Sequence, residues 1–162
     1  MIARMLLEGL IYALVLAVIV TGSQLVNPRL WLNCYPKAIQ AVVPERTKGE
    51  MRAKLLVGIP FMLIMFGYPV YSTFMLKANL GSQYTYWIGL INMIVIQNAF
   101  NIFDLLILDW LIFVAIKPKY LELEGTGGMK EYGDYMFHLK GARKGFILSV
   151  AYGALAAVFT LF

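Results

Sequence analysis

The residues able to do chemistry in this chain are few, and most of them fall in one apolar stretch. Asn92, Gln97, Asn98, Asn101, Asp104 and Asp109 interrupt residues 86–116, and His138, the single histidine, follows among Tyr132, Tyr135 and Phe137. On an α-helix, at about 100° per residue, Gln97, Asn101 and Asp104 fall within about 60° of one another, with Asn98 roughly 60° to the side of Asn101. Such a stripe could bind or conduct a small polar solute, an ion or a proton, with Asp104 as its ionisable member. A carboxylate at that depth costs several kcal/mol unless it is protonated, paired or hydrated, so the stripe is expected to face other helices rather than lipid. The plain alternative is hydrogen bonding between helices, worth about 0.6 to 2 kcal/mol per contact.

Asp109 lies five residues beyond Asp104, about 140° around an α-helix, so the spacing does not predict a carboxylate pair. Beside Trp110 it reads as an interfacial anchor for a lysine or arginine of a flanking loop. His138 with Asp104, Asp109, Tyr132 and Tyr135 could instead form a catalytic site on a lipid or quinone-like substrate, if the loop folds back on the end of the span. No nucleophile elbow supports serine hydrolysis, no His/Cys cluster supports a metal, and no second histidine supports a bis-histidine haem. No cofactor is indicated. The turn at residues 125–128 is rich in glycine but lacks Walker spacing and a preceding strand. Cys34 is the lone cysteine, which excludes an internal disulfide and reads as an unmodified thiol.

The elements that must position these residues are membrane spans. Of the 162 residues, 60% are hydrophobic and 14% are charged, against about a quarter charged in soluble domains. Four apolar runs, at about residues 5–25, 55–76, 86–116 and 146–162, are each long enough to cross about 30 Å of hydrocarbon. The expected fold is an all-α membrane protein: a single integral membrane domain over 1–162, a four-transmembrane-helix bundle with two cytosolic loops carrying short interfacial amphipathic helices. The first run could be read as a signal peptide, but Glu8 interrupts it. Two Gly-x-Pro steps, at Gly58 to Pro60 and Gly67 to Pro69, predict a bent second span whose freed carbonyls need other partners. Trp87 and Trp110 are about 34 Å apart along a helix and suit two interfacial belts. Small residues at every fourth position, Gly9, Ala13 and Ala17 in the first span and Ser149, Gly153 and Ala157 in the fourth, predict close helix packing.

Of the 14 lysines and arginines, six lie in the loop between the first and second spans and six in the loop between the third and fourth, leaving only Arg4 and Lys77. The positive-inside rule then places both long loops in the cytosol and both termini outside a plasma or inner membrane. The bases flank apolar runs, so the net charge of +5 points to anionic lipid headgroups and not to nucleic acid. Pro36 could open a short interfacial helix through residues 38–43, and Met129, Tyr132, Met136 and Leu139 describe an amphipathic surface helix before the last span. Four spans form a thin bundle, so a pathway calls for a homo-oligomer. The readings left open are a solute, ion or proton binder or conductor, a membrane enzyme on a lipid or quinone-like substrate at the cytosolic face, and a non-catalytic scaffold or accessory subunit.

Overall fold

The computed structural model describes residues 1–161, and every regular element among them is helical. Four helices are long and apolar enough to cross a membrane. The first, α1 (Ile2–Val26), meets no breaker until Asn27-Pro28, where the Asn27 side chain accepts the Arg29 N–H at 2.9 Å and starts a 3-10 turn over Pro28–Cys34. A six-residue helix, α2 (Lys37–Val42), follows Pro36. Thr47 and Glu50 then cap each other's backbone amides at 3.1 and 2.8 Å and launch α3 (Lys48–Leu80), which ends at Gly81 in a positive-φ conformation.

Both prolines are absorbed inside α3. Pro69 leaves the Met65 carbonyl without its helical donor, and the Tyr12 hydroxyl of α1 donates to it at 2.9 Å. The next carbonyl, Phe66, accepts the Tyr152 hydroxyl at 2.7 Å. The second span is thus stitched to the first and the fourth at its weak point.

The third span starts as α4 (Tyr86–Phe103), capped by Thr85, and continues without interruption through Asp104–Ile116 with i→i+5 bonding. That wide π-helical segment closes where the Lys117 N–H reaches the Ile112 carbonyl at 3.0 Å. The last helix, α5 (Tyr135–Phe159), begins at Asp134, whose carboxylate accepts the Phe137 N–H at 2.9 Å. This cap divides the expected surface helix. Tyr132 belongs to a 3-10 turn over Lys130–Gly133, whereas Met136 and Leu139 lie exposed on the first turns of α5.

The core has three parts. Tyr12, Leu16, Phe61, Ile96 and Phe100 join α1, α3 and α4. Met93, Ala156 and Ala157 join α4 and α5. The small residues work within the chain: a Cβ on Gly9 would stand 2.9 Å from the Ala99 Cβ, closer than real Cβ atoms approach, so α1 can lie this near α4 only with glycine there. The third part is a cap made by the two basic loops on the end of the π-helical segment. There Leu32, Tyr35, Ile39, Phe113, Leu121 and Tyr132 pack together, with Tyr35 1% and Ile39 0% exposed. The Tyr35 hydroxyl donates to the Leu121 carbonyl at 3.0 Å, so one loop is tied directly to the other.

Candidate functional site

The polar residues of the third span divide at Phe103. The asparagines on α4 are met by neighbouring helices. Asn92 donates to Ser72 at 3.1 Å and Thr73 at 2.9 Å, and Ser72 in turn bonds the Glu8 carboxylate, which also pairs with Arg4 at 2.6 Å. Asn98 donates to Ser149 on α5 at 2.7 Å, and Asn101 donates to the Ala142 carbonyl of α5 at 2.9 Å. The Asn101 side chain sits where a Cβ on Gly145 would come within 2.8 Å of its oxygen, so the glycine makes room for that bond. Gln97 is buried with its Oε1 unpartnered. The asparagines of the α4 part of the stripe therefore hold helices together.

The carboxylates behave differently. A turn closed by i→i+5 bonds takes roughly 4.4 residues, so side chains five apart are separated by about 50° instead of 140°. Asp104 and Asp109 begin and lie within such turns, which brings them to the same side of the helix and corrects the 140° separation computed for an α-helix. The partner of Asp109 also differs from the expected lysine or arginine: His138 Nδ1 lies 2.9 Å from its Oδ1. Among the described residues the pairs of oppositely charged side chains are Arg4 with Glu8 and Arg29 with Glu50, so Asp104 has no such partner.

His138 is 5% exposed and stands between two rings, Phe113 at 5.0 Å and Phe137 at 5.2 Å, both edge-on. Its first turn on α5 is set by Asp134 capping, and α5 is fixed against the span by Trp110, whose indole N–H donates to the Tyr135 carbonyl at 3.3 Å. With Nδ1 facing a carboxylate, the neutral ring carries its proton there and leaves a lone pair on Nε2. Nε2 is buried and has no hydrogen-bond partner. A histidine held this way has the form of a general base, with Asp109 positioned to stabilise the imidazolium.

Of the other candidates, Tyr135 contributes its backbone carbonyl and its ring to Trp110, with centroids 5.7 Å apart. The Tyr132 hydroxyl is committed to the loop, accepting the Leu123 N–H at 3.0 Å and sharing a 2.7 Å bond with Thr126. It is a structural group of the cap, whose ring reaches Phe113 at 5.6 Å. Phe113, which touches both His138 and Tyr132, is first singled out here. Cys34 keeps an exposed surface on the cap, yet loss of surrounding water, and after it the charges of Asp104 and Asp109, push its thiol up to about 11. It therefore remains a thiol at neutral pH and is no ready nucleophile. No group of three or more metal-ligating side chains is present among the described residues. Comparison of the chain with protein-family models, with curated proteins and with solved structures finds no match.

Proposed function

We propose that the chain is a membrane-embedded acid–base catalyst acting on an amphipathic, lipid- or quinone-like substrate at the end of the third span, with His138 as base, Asp109 orienting it and Asp104 as a second carboxylate on the same side. The observation that carries this reading is the 2.9 Å contact between Asp109 and a buried His138 whose Nε2 has no partner. A buried polar atom left unsatisfied costs about 1–3 kcal/mol, and such a cost is tolerated where a ligand or proton completes the site. The substrate class follows from position: the pair lies where an apolar span meets a polar cap, which suits a molecule with one end in hydrocarbon.

A conducting stripe is the weaker reading, because Asn92, Asn98 and Asn101 donate to neighbouring helices. We further infer that the cap lies in the cytosol and both termini outside, from the six basic residues in each long loop against Arg4 and Lys77 elsewhere.

The test is lipid mass spectrometry on full-length protein reconstituted in total polar lipid and quinone extract, wild type against His138→Ala and Asp109→Asn. A species that changes mass or takes up deuterium from heavy water with wild type, and with neither variant, supports the assignment. Identical profiles for all three proteins would overturn it.

A further inference from the structure

We propose that the recess between the end of the third span and the glycine turn of the following loop binds a phosphodiester, carried by the headgroup of the amphiphile on which the Asp109 and His138 pair acts. The recess has a volume of about 240 Å³ and is lined by Lys117, Glu122, Gly128, Lys130 and Tyr132 among others. At roughly 30 Å³ per water that is space for about eight waters, enough for a phosphodiester with a small headgroup.

Its charge is specific. Lys117 and Lys130 both line it, and neither takes part in any ion pair among the described residues. The one carboxylate present, Glu122, is engaged: its Oε1 accepts the Gly128 N–H at 2.9 Å. Two ammonium groups against one carboxylate leave a single positive charge, which matches a phosphodiester monoanion better than a doubly charged phosphate.

The walls are held by backbone that other residues would not readily adopt. Lys117, with φ +52°, is the only non-glycine residue with positive φ among those described, and Gly125 and Gly128 stand at +79° and +76°. The Lys117 ammonium folds over Gly133, where a Cβ would be 3.4 Å from its Nζ. On the inner side, Tyr132 lines the recess and packs on Phe113 at 5.6 Å, and Phe113 in turn touches both Tyr35 and His138 at 5.0 Å. Tyr132 and Phe113 thus stand between the recess and the Asp109 and His138 pair, one ring lining the first and the other touching the second. The assignment rests on the acid–base reading only in calling the amphiphile the substrate.

The experiment is isothermal titration of the full chain, in non-ionic detergent, with short-chain phosphatidylglycerol and separately with inorganic phosphate. The Lys117→Gln/Lys130→Gln variant is compared with Lys37→Gln/Lys48→Gln, which removes equal charge from the other basic loop; circular dichroism checks that both are folded. Loss of the two recess lysines is expected to weaken lipid binding roughly tenfold, with the control within about twofold of wild type. Equal weakening in the two variants, or no lipid binding by wild type, would overturn the recess as a site. Inorganic phosphate binding as tightly as the lipid, with the same lysine dependence, would overturn the lipid as its source. The titration reads the recess lysines and the deuterium-uptake assay reads His138 and Asp109, so the recess and the catalytic pair can each fail alone.

Discussion

The two halves of the third span use polar residues in opposite ways. From Tyr86 to Phe103 the helix is α, and its asparagines reach across to Ser72, Thr73, Ser149 and the Ala142 carbonyl. From Asp104 to Ile116 the turns widen, and the polar groups are two carboxylates on one side, one of them facing a buried histidine from another helix. The first half sits among spans that offer hydroxyls and carbonyls, so amides there act as fastenings. The second meets the first turns of α5, which supply the titratable ring of His138 and the Phe137 ring beside it. The difference teaches that polarity within an apolar helix is not one signal: asparagines with hydroxyls and carbonyls opposite them fasten helices, while a carboxylate facing a buried histidine whose far nitrogen is unpaired is the feature on which the proposed chemistry rests.

The comparison can be broken most severely at His138. His138→Ala is expected to lower turnover of the substrate found by lipid mass spectrometry by about a hundredfold or more, the usual contribution of a general base, while Asn98→Ala stays within about threefold. Comparable losses in both variants would erase the functional distinction between the halves. A second test addresses the geometry that brings the carboxylates together. Histidines at i and i+4 chelate metal on an α-helix, so in i→i+5 turns Asp104→His/Asp109→His should do so; saturating Ni²⁺ is expected to stabilise that variant by about 2 to 3 kcal/mol in thermal unfolding. No nickel effect would return the segment to ordinary α-helix.

Smaller effects sharpen the picture. A thiol raised from 9.0 to about 11 has about a hundredfold less thiolate at pH 8, partly offset by its greater nucleophilicity. Iodoacetamide should therefore label Cys34 about tenfold more slowly than a free thiol, with the rate rising up to about pH 11. Asp104→Asn/Asp109→Asn should narrow that gap, because both charges favour the protonated form, although water exclusion, the larger cause, remains. The smallest change is expected in the α-helical half: Asn98→Ala should cost about 1 kcal/mol in detergent unfolding, the worth of one hydrogen bond between helices.

Much of the scaffold was legible because lipid makes strict demands. A run of about 20 apolar residues has only one way to satisfy its backbone in hydrocarbon, so the apolar runs announce helices. The carbonyl freed by Pro69 was equally predictable as a need, although nothing in the sequence near it names Tyr12 as the donor. The amphipathic repeat from Met129 to Leu139 misled, because periodicity does not register that Gly133-Asp134 ends one turn and caps the next.

What the sequence by itself determined is the set of four helices long and apolar enough to cross a membrane, the concentration of polar residues in the third, and the gathering of basic charge into two loops, all of which follow from residue type and local spacing. What only the tertiary structure decided is the partnership of those residues. Local spacing converts to angle only once the helix type is known, and at 100° per residue Asp104 and Asp109 stand apart. The wide turns bring them to one side, the cap encloses the end of the span, and α5 carries His138 to Asp109 across 29 positions of chain. Those outcomes depend on packing between distant segments, which short-range pattern does not encode.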